Sequence, residues 1–181
     1  MPMKSTNQIL SDTSELTGLP PLTGDHPEIL ILGTFPGCCS LCKGEYYADR
    51  GNSFRKIMAD ILNKGIPFKT YAEFETCLKK NNVALWDVYK TCQRDGSSDK
   101  NIQYGQPNTL ETFLGKHHSI CTIIFNGTNA QKEFRKYFKY LYTKKEMQTA
   151  LSTSGSHAKA YNIKLENWKV KLSLTRINQV Q

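Results

Sequence analysis

Short apolar runs alternate along this chain with segments whose apolar residues recur at helical spacing. The continuous runs predict three buried strands, over residues 28–32, 83–89 and 119–125. Apolar positions three or four residues apart predict a series of helices, over residues 52–64, 71–80, 109–116, 129–142 and from 159 through Trp168. Because strands and helices alternate, we expect an α/β protein: a three-layer α/β/α sandwich around a short, mostly parallel central sheet.

The segments outside this pattern are polar or rich in glycine. Residues 1–27 predict a loosely structured lead-in, and residues 28–181 a single domain without repeats or a linker. Inside the domain we expect a loop containing glycines and cysteines up to Gly51, and a polar loop over residues 93–106. Loops carry most binding and catalytic residues, so these segments are where functional chemistry is expected.

Composition narrows the class of protein. With 181 residues, 39% of them hydrophobic, the chain is long enough to bury a core without disulfides or metals. The net charge of +8 favours a polyanionic partner, although a solvated basic surface accounts for the same charge. No apolar run approaches the ~20 residues of a membrane span, and the first residues lack the apolar block of a signal peptide. We expect a soluble, cytoplasmic monomer.

Three of the six cysteines lie close together in the sequence: Cys38, Cys39 and Cys42. A structural zinc or iron–sulfur site usually needs four ligands, commonly in two close pairs, and the sequence offers no second pair. Reduced thiols are therefore the favoured interpretation, and we expect neither a metal nor another cofactor. A metal site at this cluster stays open as the alternative.

Glycine-rich and polar segments follow the predicted strands. Residues 33–37 (G-T-F-P-G) follow the first strand, Asn126-Gly127 follow the third, and residues 152–157 come later. Ligands of α/β sheets bind beyond the carboxyl ends of the strands, so these segments are expected at one edge. They predict a backbone-lined pocket for a flat ligand, and the Tyr46-Tyr47 pair with Asn52 indicates an aromatic ligand and a polar group able to position water. Asp87 is expected to pack beneath this site.

Two other kinds of site have weaker support. Neither of the phosphate-binding patterns G-x-x-x-x-G-K-[ST] and G-x-G-x-x-G occurs in the sequence. A nucleophilic Cys–His pair would place Cys38 or Cys39 beside His157, yet nothing in the sequence marks these thiols as activated. Ordinary structural roles also fit single residues, since an asparagine before a helix often caps it and Asn-Gly often forms a turn.

Five motifs, in this order, resemble the uracil-DNA glycosylase superfamily. They are G-T-F-P-G at 33–37, Y-Y-A-D-R-G-N-S-F at 46–54, A-L-W-D-V at 84–88 with G-S-S-D at 96–99, I-I-F-N-G-T-N-A at 123–130, and L-S-T-S-G-S-H-A at 151–158. The resemblance is greatest to the hypoxanthine (deoxyinosine) DNA glycosylases, with the mismatch-specific thymine/uracil enzymes as cousins. It runs from about residue 29 to 168 and implies the α/β/α sandwich already expected.

The resemblance implies roles for particular residues. The first motif has Phe35 where the mismatch-specific enzymes carry an asparagine, whereas the hypoxanthine branch uses a later asparagine that matches Asn52, the implied catalytic residue. Base-binding roles are implied for residues around the pocket: Gly33, Thr34, Phe35, Tyr47 as the closing ring, and Asn126 as the reader of the base edge. The last motif resembles a loop that contacts the minor groove and phosphates of DNA, through Ser152, Thr153, Ser154, Gly155 and His157.

The implied function is a monofunctional DNA glycosylase of base excision repair. Such an enzyme flips a deaminated base out of the duplex, because the glycosidic bond cannot be reached inside it, and leaves an abasic site. Hypoxanthine is the expected first substrate, followed by uracil and xanthine. Two rival hypotheses stay open: a catalytically silent nucleic-acid-binding module of the same fold, and a metal-containing member that uses the clustered cysteines.

Overall fold

The computed structural model describes residues 14–143 and 145–177. Strands and helices alternate through most of this range. In chain order they are β1 (Leu16–Thr17), β2 (Ile29–Gly33), α1 (Cys38–Lys43), α2 (Phe54–Leu62), α3 (Tyr71–Lys80), β3 (Val83–Asp87), β4 (Tyr89–Gln93), β5 (Gln103–Pro107), α4 (Leu110–Lys116), β6 (Thr122–Asn126), α5 (Thr128–Phe138), β7 (Glu146–Ala150) and α6 (Tyr161–Ile177).

The central sheet has four strands in the order β3-β2-β6-β7. All three pairings are parallel, with Gly33 in register with Asp87 and Asn126 in register with Ala150. Parallel pairing brings the last residues of the four strands to one side of the molecule, which we call the carboxyl edge. The mostly parallel sheet expected from the sequence is confirmed.

Each face of this sheet is covered by helices. Side chains alternate along β2, so Ile29 and Ile31 join one core and Leu30 and Leu32 join the other. Helices α2, α3 and α6 cover the first face, and α4 and α5 cover the second. Strands buried on both faces are apolar throughout, which is why their runs stand out in the sequence. The three-layer sandwich is confirmed.

A second, antiparallel sheet of order β1-β4-β5 differs from the expectation. The predicted strand 83–89 is two strands, because the N–H groups of Val88 and Tyr89 turn to the carbonyls of Gly33 and Thr34, at 3.0 and 3.1 Å. The predicted loop 93–106 contains most of β5, whose residues are polar and largely exposed. Strand β7 was also not predicted, since its polar sequence E-M-Q-T-A lies at the edge of the central sheet.

The expected lead-in is also more ordered than the sequence indicates. Residues 1–13 lie outside the described residues, but residues 14–27 pack against the sheets. The backbone of Leu22 bonds to that of Leu85 in both directions, and the Trp86 indole donates to the Leu19 carbonyl at 3.2 Å. The prediction of a loose segment is therefore wrong from residue 14 onward. That residues 28–181 form a single domain stays a prediction.

Candidate active site

A cavity of about 690 Å³ opens at the carboxyl edge. Its wall combines strand ends, the loop after β2, the turn before α2, the start of α5 and the loop after β7. Every site residue predicted from the sequence lines this cavity: Gly33, Thr34, Phe35, Tyr47, Asn52, Asn126, Ser152, Thr153, Ser154, Gly155 and His157. The structure therefore brings these residues together, while their individual roles stay predictions.

Gly33 and Asp87 lie side by side in this wall. A Cβ atom on Gly33 would be 2.4 Å from Asp87 Oδ1 and 3.8 Å from the Tyr47 hydroxyl, so a side chain at position 33 would collide with the carboxyl group. The Gly33 carbonyl accepts a hydrogen bond from Val88 N–H at 3.0 Å. The absence of a side chain at position 33 thus makes room for Asp87.

Asp87 is the residue whose importance the sequence did not reveal. It is 5% exposed, it lines the cavity, and its Oδ2 has no hydrogen-bond partner among the described residues. Burial, together with repulsion from Asp99, raises its pKa to about 8, although the attraction of Arg94 opposes both. Asp87 is packed at the site as expected, and in addition it lines the cavity. The sequence feature that could have drawn attention to Asp87 is that it is the single acidic residue of a buried strand and stands at its end.

The loop after β2 is held in place by a buried arginine. The Arg94 guanidinium lies 5.0 Å from the centre of the Phe35 ring and donates to the Pro36 carbonyl at 2.5 Å. Phe35 is only 6% exposed and packs in a small core with Tyr89. Its ring therefore borders the cavity and also packs in the core beside the antiparallel sheet. A stacked base could contact only the part of the ring that faces the cavity.

Asp99 adds a second carboxyl to the same wall. Burial raises its pKa, whereas hydrogen bonds with Thr34 and Asn129 and the attraction of Arg94 lower it. Its Oδ1 lies 4.0 Å from Arg94 Nη1. Asp99 has these compensating partners and Asp87 has fewer, so Asp87 is the carboxyl more strongly driven to the neutral form.

Tyr47 is fixed in an unusual backbone conformation. Its φ angle is +55°, and its ring stacks on Phe54 with centroids 3.9 Å apart. Burial raises the pKa of its hydroxyl, so the group stays neutral. Positive φ in a residue other than glycine costs about 1–3 kcal/mol and occurs often at active sites. The ring is a rigid wall of the cavity rather than a mobile lid.

Asn52 lies in the turn that leads into α2. Its backbone N–H donates to the Asp49 carbonyl at 3.0 Å, and its side-chain Oδ1 accepts from Phe54 N–H at 3.0 Å. The N-cap of α2 is Ser53, one residue later, so the expected cap at Asn52 is displaced by one position, although the Asn52 side chain still bonds to the first N–H group of the helix. Within residues 14–143 and 145–177, no protein group accepts a hydrogen bond from Asn52 Nδ2. The amide is held by one bond and keeps hydrogen-bonding capacity toward the cavity.

Asn126 has the opposite arrangement. Its Nδ2 donates to the Tyr47 hydroxyl at 3.1 Å and to Thr153 Oγ1 at 2.8 Å, and its Oδ1 accepts from Thr153 N–H at 3.0 Å. Both amide hydrogens are engaged within the protein. Asn126 thus joins the end of β6 to the loop after β7, and a role as a hydrogen-bond donor to a base edge would require one of the Nδ2 bonds to break.

The loop of residues 152–157 lies directly beside the Asn52 turn. Ser53 N–H donates to the Thr153 carbonyl at 2.9 Å, and Lys164 Nζ donates to the Ser154 carbonyl at 2.9 Å. A Cβ atom on Gly155 would be 2.8 Å from the Gly51 carbonyl oxygen. The close approach of the two backbones requires glycine here and makes the loop and the turn one structural unit.

The alternative chemistries receive no support from the geometry. Cys38 Sγ lies 3.1 Å from the Gly96 carbonyl, and the buried His157 Nδ1 has no hydrogen-bond partner among the described residues. The structure therefore does not join these residues as a nucleophile and its base. Across the part of the chain that the structure describes, no three His, Cys, Asp or Glu side chains form a group that could hold a metal ion.

The start of α5 gives the cavity a partial positive charge. Gly127, Thr128 and Asn129 line the wall, and no side chain caps this end of the helix. The free N–H groups of a helix N-terminus favour negative charge nearby. The cavity thus combines a neutral amide, a rigid aromatic wall, buried carboxyls and an anion-stabilising helix end.

No described helix combines the length and apolar character needed to cross a membrane.

A cavity of this kind at the strand ends of a three-layer α/β/α sandwich is typical of an enzyme that binds a small ligand. The sequence profile of the uracil DNA glycosylase superfamily matches residues 20–175, most of the chain. The chain belongs to the uracil DNA glycosylase superfamily. The family predicted from the five motifs is therefore confirmed.

Individual relatives agree with this assignment. The chain is 30% identical over 151 residues to the hypoxanthine DNA glycosylase of Methanosarcina barkeri, covering 83% of this chain and 94% of that protein. It is 32% identical over 113 residues to the hypoxanthine DNA glycosylase of Methanosarcina acetivorans, covering 62% and 72%. A solution NMR structure of a candidate uracil DNA glycosylase from Methanosarcina acetivorans superposes with a TM-score of 0.76 at 26% identity, covering 90% of this chain and 99% of that one.

These findings establish the class of enzyme. The protein is a DNA glycosylase, an enzyme that hydrolyses the N-glycosidic bond between a base and deoxyribose. Its substrate is accordingly DNA that contains a damaged base.

Proposed function

We propose that this glycosylase excises hypoxanthine from DNA by hydrolysis, with uracil and xanthine as slower substrates, and leaves an abasic site for base excision repair. The observation that carries the proposal is the Asn52 amide, which is oriented by Phe54 N–H and keeps its Nδ2 free at the cavity. The names of the relatives from both Methanosarcina species support hypoxanthine as the first substrate. We also infer an intracellular monomer that needs no cofactor.

In the proposed mechanism the glycosidic bond breaks before water attacks. Because an asparagine side chain cannot ionise, Asn52 orients a water molecule toward C1′ but does not act as a strong base. The electron pair of the bond leaves with the base, and the sugar becomes cationic. The N-terminus of α5 stabilises the negative charge that develops on the base. Water then adds to C1′ and releases a proton to solvent.

We infer that the loop of residues 152–157 contacts the DNA backbone and minor groove. It borders the cavity and is fixed to Asn126 and Lys164, so it can support the flipped nucleotide without reordering. Rigid contacts of this kind reduce the entropy cost of binding. Tyr47 is proposed to close the pocket against the base, since its hydroxyl and ring are both fixed.

The test is base release from matched duplexes that each carry one hypoxanthine, uracil, xanthine or mismatched thymine. Strand scission after alkali should be fastest for hypoxanthine. In Asn52→Ala, the rate should fall by about 10²-fold or more, because the attacking water is no longer held in position for C1′. Asn52→Ser is the matched control for folding, because a serine oxygen can still accept from Phe54 N–H.

Each outcome has a definite meaning. Loss of activity in both variants, with an unchanged melting temperature in Asn52→Ser, supports the proposal. Release that survives in Asn52→Ala assigns catalysis to another residue. No release from any duplex or single strand would leave a DNA-binding module and overturn the proposal. Borohydride should trap no protein–DNA adduct, because a monofunctional enzyme forms no Schiff base with Lys100, which lines the cavity rim.

A further inference from the structure

The floor of the cavity contains a carboxyl group that the proposed mechanism does not use. Asp87 ends β3 opposite Gly33, and its Oδ1 occupies the space where a side chain of residue 33 would otherwise lie. The residue is 5% exposed, and its Oδ2 has no partner among the described residues. A polar group buried without a partner is costly unless a ligand supplies the missing bond. This one lines the cavity that receives the base.

We propose that Asp87 binds the flipped base before its excision as a neutral carboxylic acid, donating its O–H to a ring carbonyl of the base and accepting a hydrogen bond from the adjacent ring N–H. Deamination replaces an exocyclic amine by a carbonyl, and the neighbouring ring nitrogen then carries hydrogen. Hypoxanthine, xanthine and uracil all present such a lactam edge. The inference rests on the proposed function, because it names the group that holds the base in that same site.

The surroundings of Asp87 favour the neutral form. The charged or titratable groups that act on it are Asp99, which repels its negative charge, Arg94, which attracts it, and the buried phenols of Tyr46 and Tyr47. The Arg94 guanidinium bonds to the Pro36 carbonyl and lies beside Asp99, so its positive charge is shared among several groups and does not act on Asp87 alone. With its pKa raised to about 8, Asp87 carries a proton at neutral pH.

The charge state decides whether the base fits. A neutral carboxyl presents one donor and one acceptor side by side, which matches a carbonyl next to an N–H. A carboxylate has only acceptors, so its second oxygen would face the carbonyl oxygen of the base without a hydrogen between them. Recognition of the base should therefore weaken as the pH rises through the pKa of Asp87.

The experiment measures binding apart from catalysis. The probe is a duplex with 2′-fluoro-deoxyinosine, whose fluorine disfavours the cationic sugar and so prevents cleavage, compared with the same duplex without the lesion. Fluorescence anisotropy gives the dissociation constants between pH 6 and 9.5 for the wild type, Asp87→Asn and Asp87→Leu. The control is Asp25→Asn, an exposed aspartate near the amino ends of the strands.

We expect lesion-selective binding of the wild type to weaken at least tenfold between pH 7 and 9.5. Asp87→Asn keeps a neutral donor and acceptor, so it should bind tightly with a flatter pH dependence. Asp87→Leu should lose at least tenfold in selective affinity at every pH, and Asp25→Asn should match the wild type. The base can itself lose its ring proton in alkali. The difference between the wild type and Asp87→Asn therefore carries the result.

Two results would overturn the proposal. Parallel pH profiles for the wild type and Asp87→Asn would show that Asp87 does not titrate in binding, and wild-type affinity in Asp87→Leu would show that it does not contact the base. If Asp87→Leu does not fold, the profile of Asp87→Asn still decides. When hypoxanthine release depends on Asn52 but either result is found, this inference fails alone. When the wild type does not distinguish the lesion duplex, the proposed function fails with it.

Discussion

Two asparagines on the wall of the same cavity differ in how completely the protein satisfies their hydrogen bonds. Asn52 accepts one bond, from Phe54 N–H, and its Nδ2 has no protein acceptor among the described residues. Asn126 makes three bonds, to the Tyr47 hydroxyl and to two groups of Thr153. A satisfied amide fixes structure, whereas an amide with remaining capacity can bind water or substrate. The same residue type therefore serves two purposes, and its neighbours decide which.

The largest expected effect separates the two asparagines in catalysis. Asn52→Ala should reduce single-turnover base release by about 10²-fold or more, because the attacking water loses its position, whereas Asn126→Ala should reduce it by about tenfold, through displacement of the 152–157 loop. Quenched-flow measurement of alkali-labile sites on one hypoxanthine duplex would give both rate constants.

A particular result would reverse this assignment. If Asn126→Ala is as inactive as Asn52→Ala while its melting temperature is unchanged, then Asn126 contacts the base directly. The bonds seen to Thr153 and Tyr47 would in that case be exchanged for bonds to the substrate, as the resemblance to the family implies.

Asp87, like Asn52, has a side-chain atom without a hydrogen-bond partner among the described residues, and its burial predicts a pH-dependent loss of stability. Its pKa is about 8 in the folded protein and near 3.8 when unfolded, so the folded state binds more protons between these values. Stability from this residue is therefore full below about pH 4 and falls as the pH rises to 8. Asp87→Asn should raise the free energy of unfolding by about 1–4 kcal/mol at pH 8, with little change at pH 4.

Urea denaturation at the two pH values measures this difference. Asp25→Asn is the control, since an exposed carboxyl should change stability equally little at both. An Asp87→Asn variant that is equally stable relative to the wild type at pH 4 and pH 8 would contradict the assignment of a raised pKa.

Removing the Asn126 amide tests its structural role. Thr153 is fully buried, so Asn126→Ala leaves its N–H and hydroxyl without their partner. We expect the free energy of unfolding to fall by about 1–3 kcal/mol, the cost of unsatisfied buried groups. Asn101→Ala is the control, because the side chain of the exposed Asn101 donates to the Asp95 carbonyl, and its loss should change stability by less than about 0.5 kcal/mol. Equal effects would show that Asn126 does not hold the loop.

The sequence predicts the central sheet and the set of cavity residues well, because both depend on simple patterns. Strands buried on two faces must be apolar, and parallel strands place their ends together, so Gly33 and Asn126 could be assigned to one edge. Strands β5 and β7 could not be found, since each has an exposed or edge position and polar residues. Their pairing depends on neighbours far away in the chain rather than on their own pattern.

The uses of the site residues were harder to predict than their positions. Asn52 and Asn126 each precede or begin a turn, and nothing local distinguishes an amide with one bond from one with three. The importance of Asp87 depends on Gly33, which lies in another strand and leaves space for the carboxyl. Hydrogen-bond satisfaction is a property of the folded surroundings, so the sequence identifies the candidates and the structure separates them.

The smallest effect tests whether the two regions are mechanically joined at Gly155. A methyl group there would meet the Gly51 carbonyl at 2.8 Å, and backbone cannot move aside as a flexible side chain can. Gly155→Ala should therefore push the 152–157 loop from the Asn52 turn, lower base release by about tenfold and destabilise the protein by about 1–2 kcal/mol. Gly115→Ala in α4 is the matched control, because no atom lies within 4 Å of its added methyl group. It should stabilise the helix by about 0.5–1 kcal/mol and leave activity unchanged. Wild-type activity in Gly155→Ala would mean that Asn52 keeps its orientation without support from the loop, and that the turn alone positions the catalytic amide.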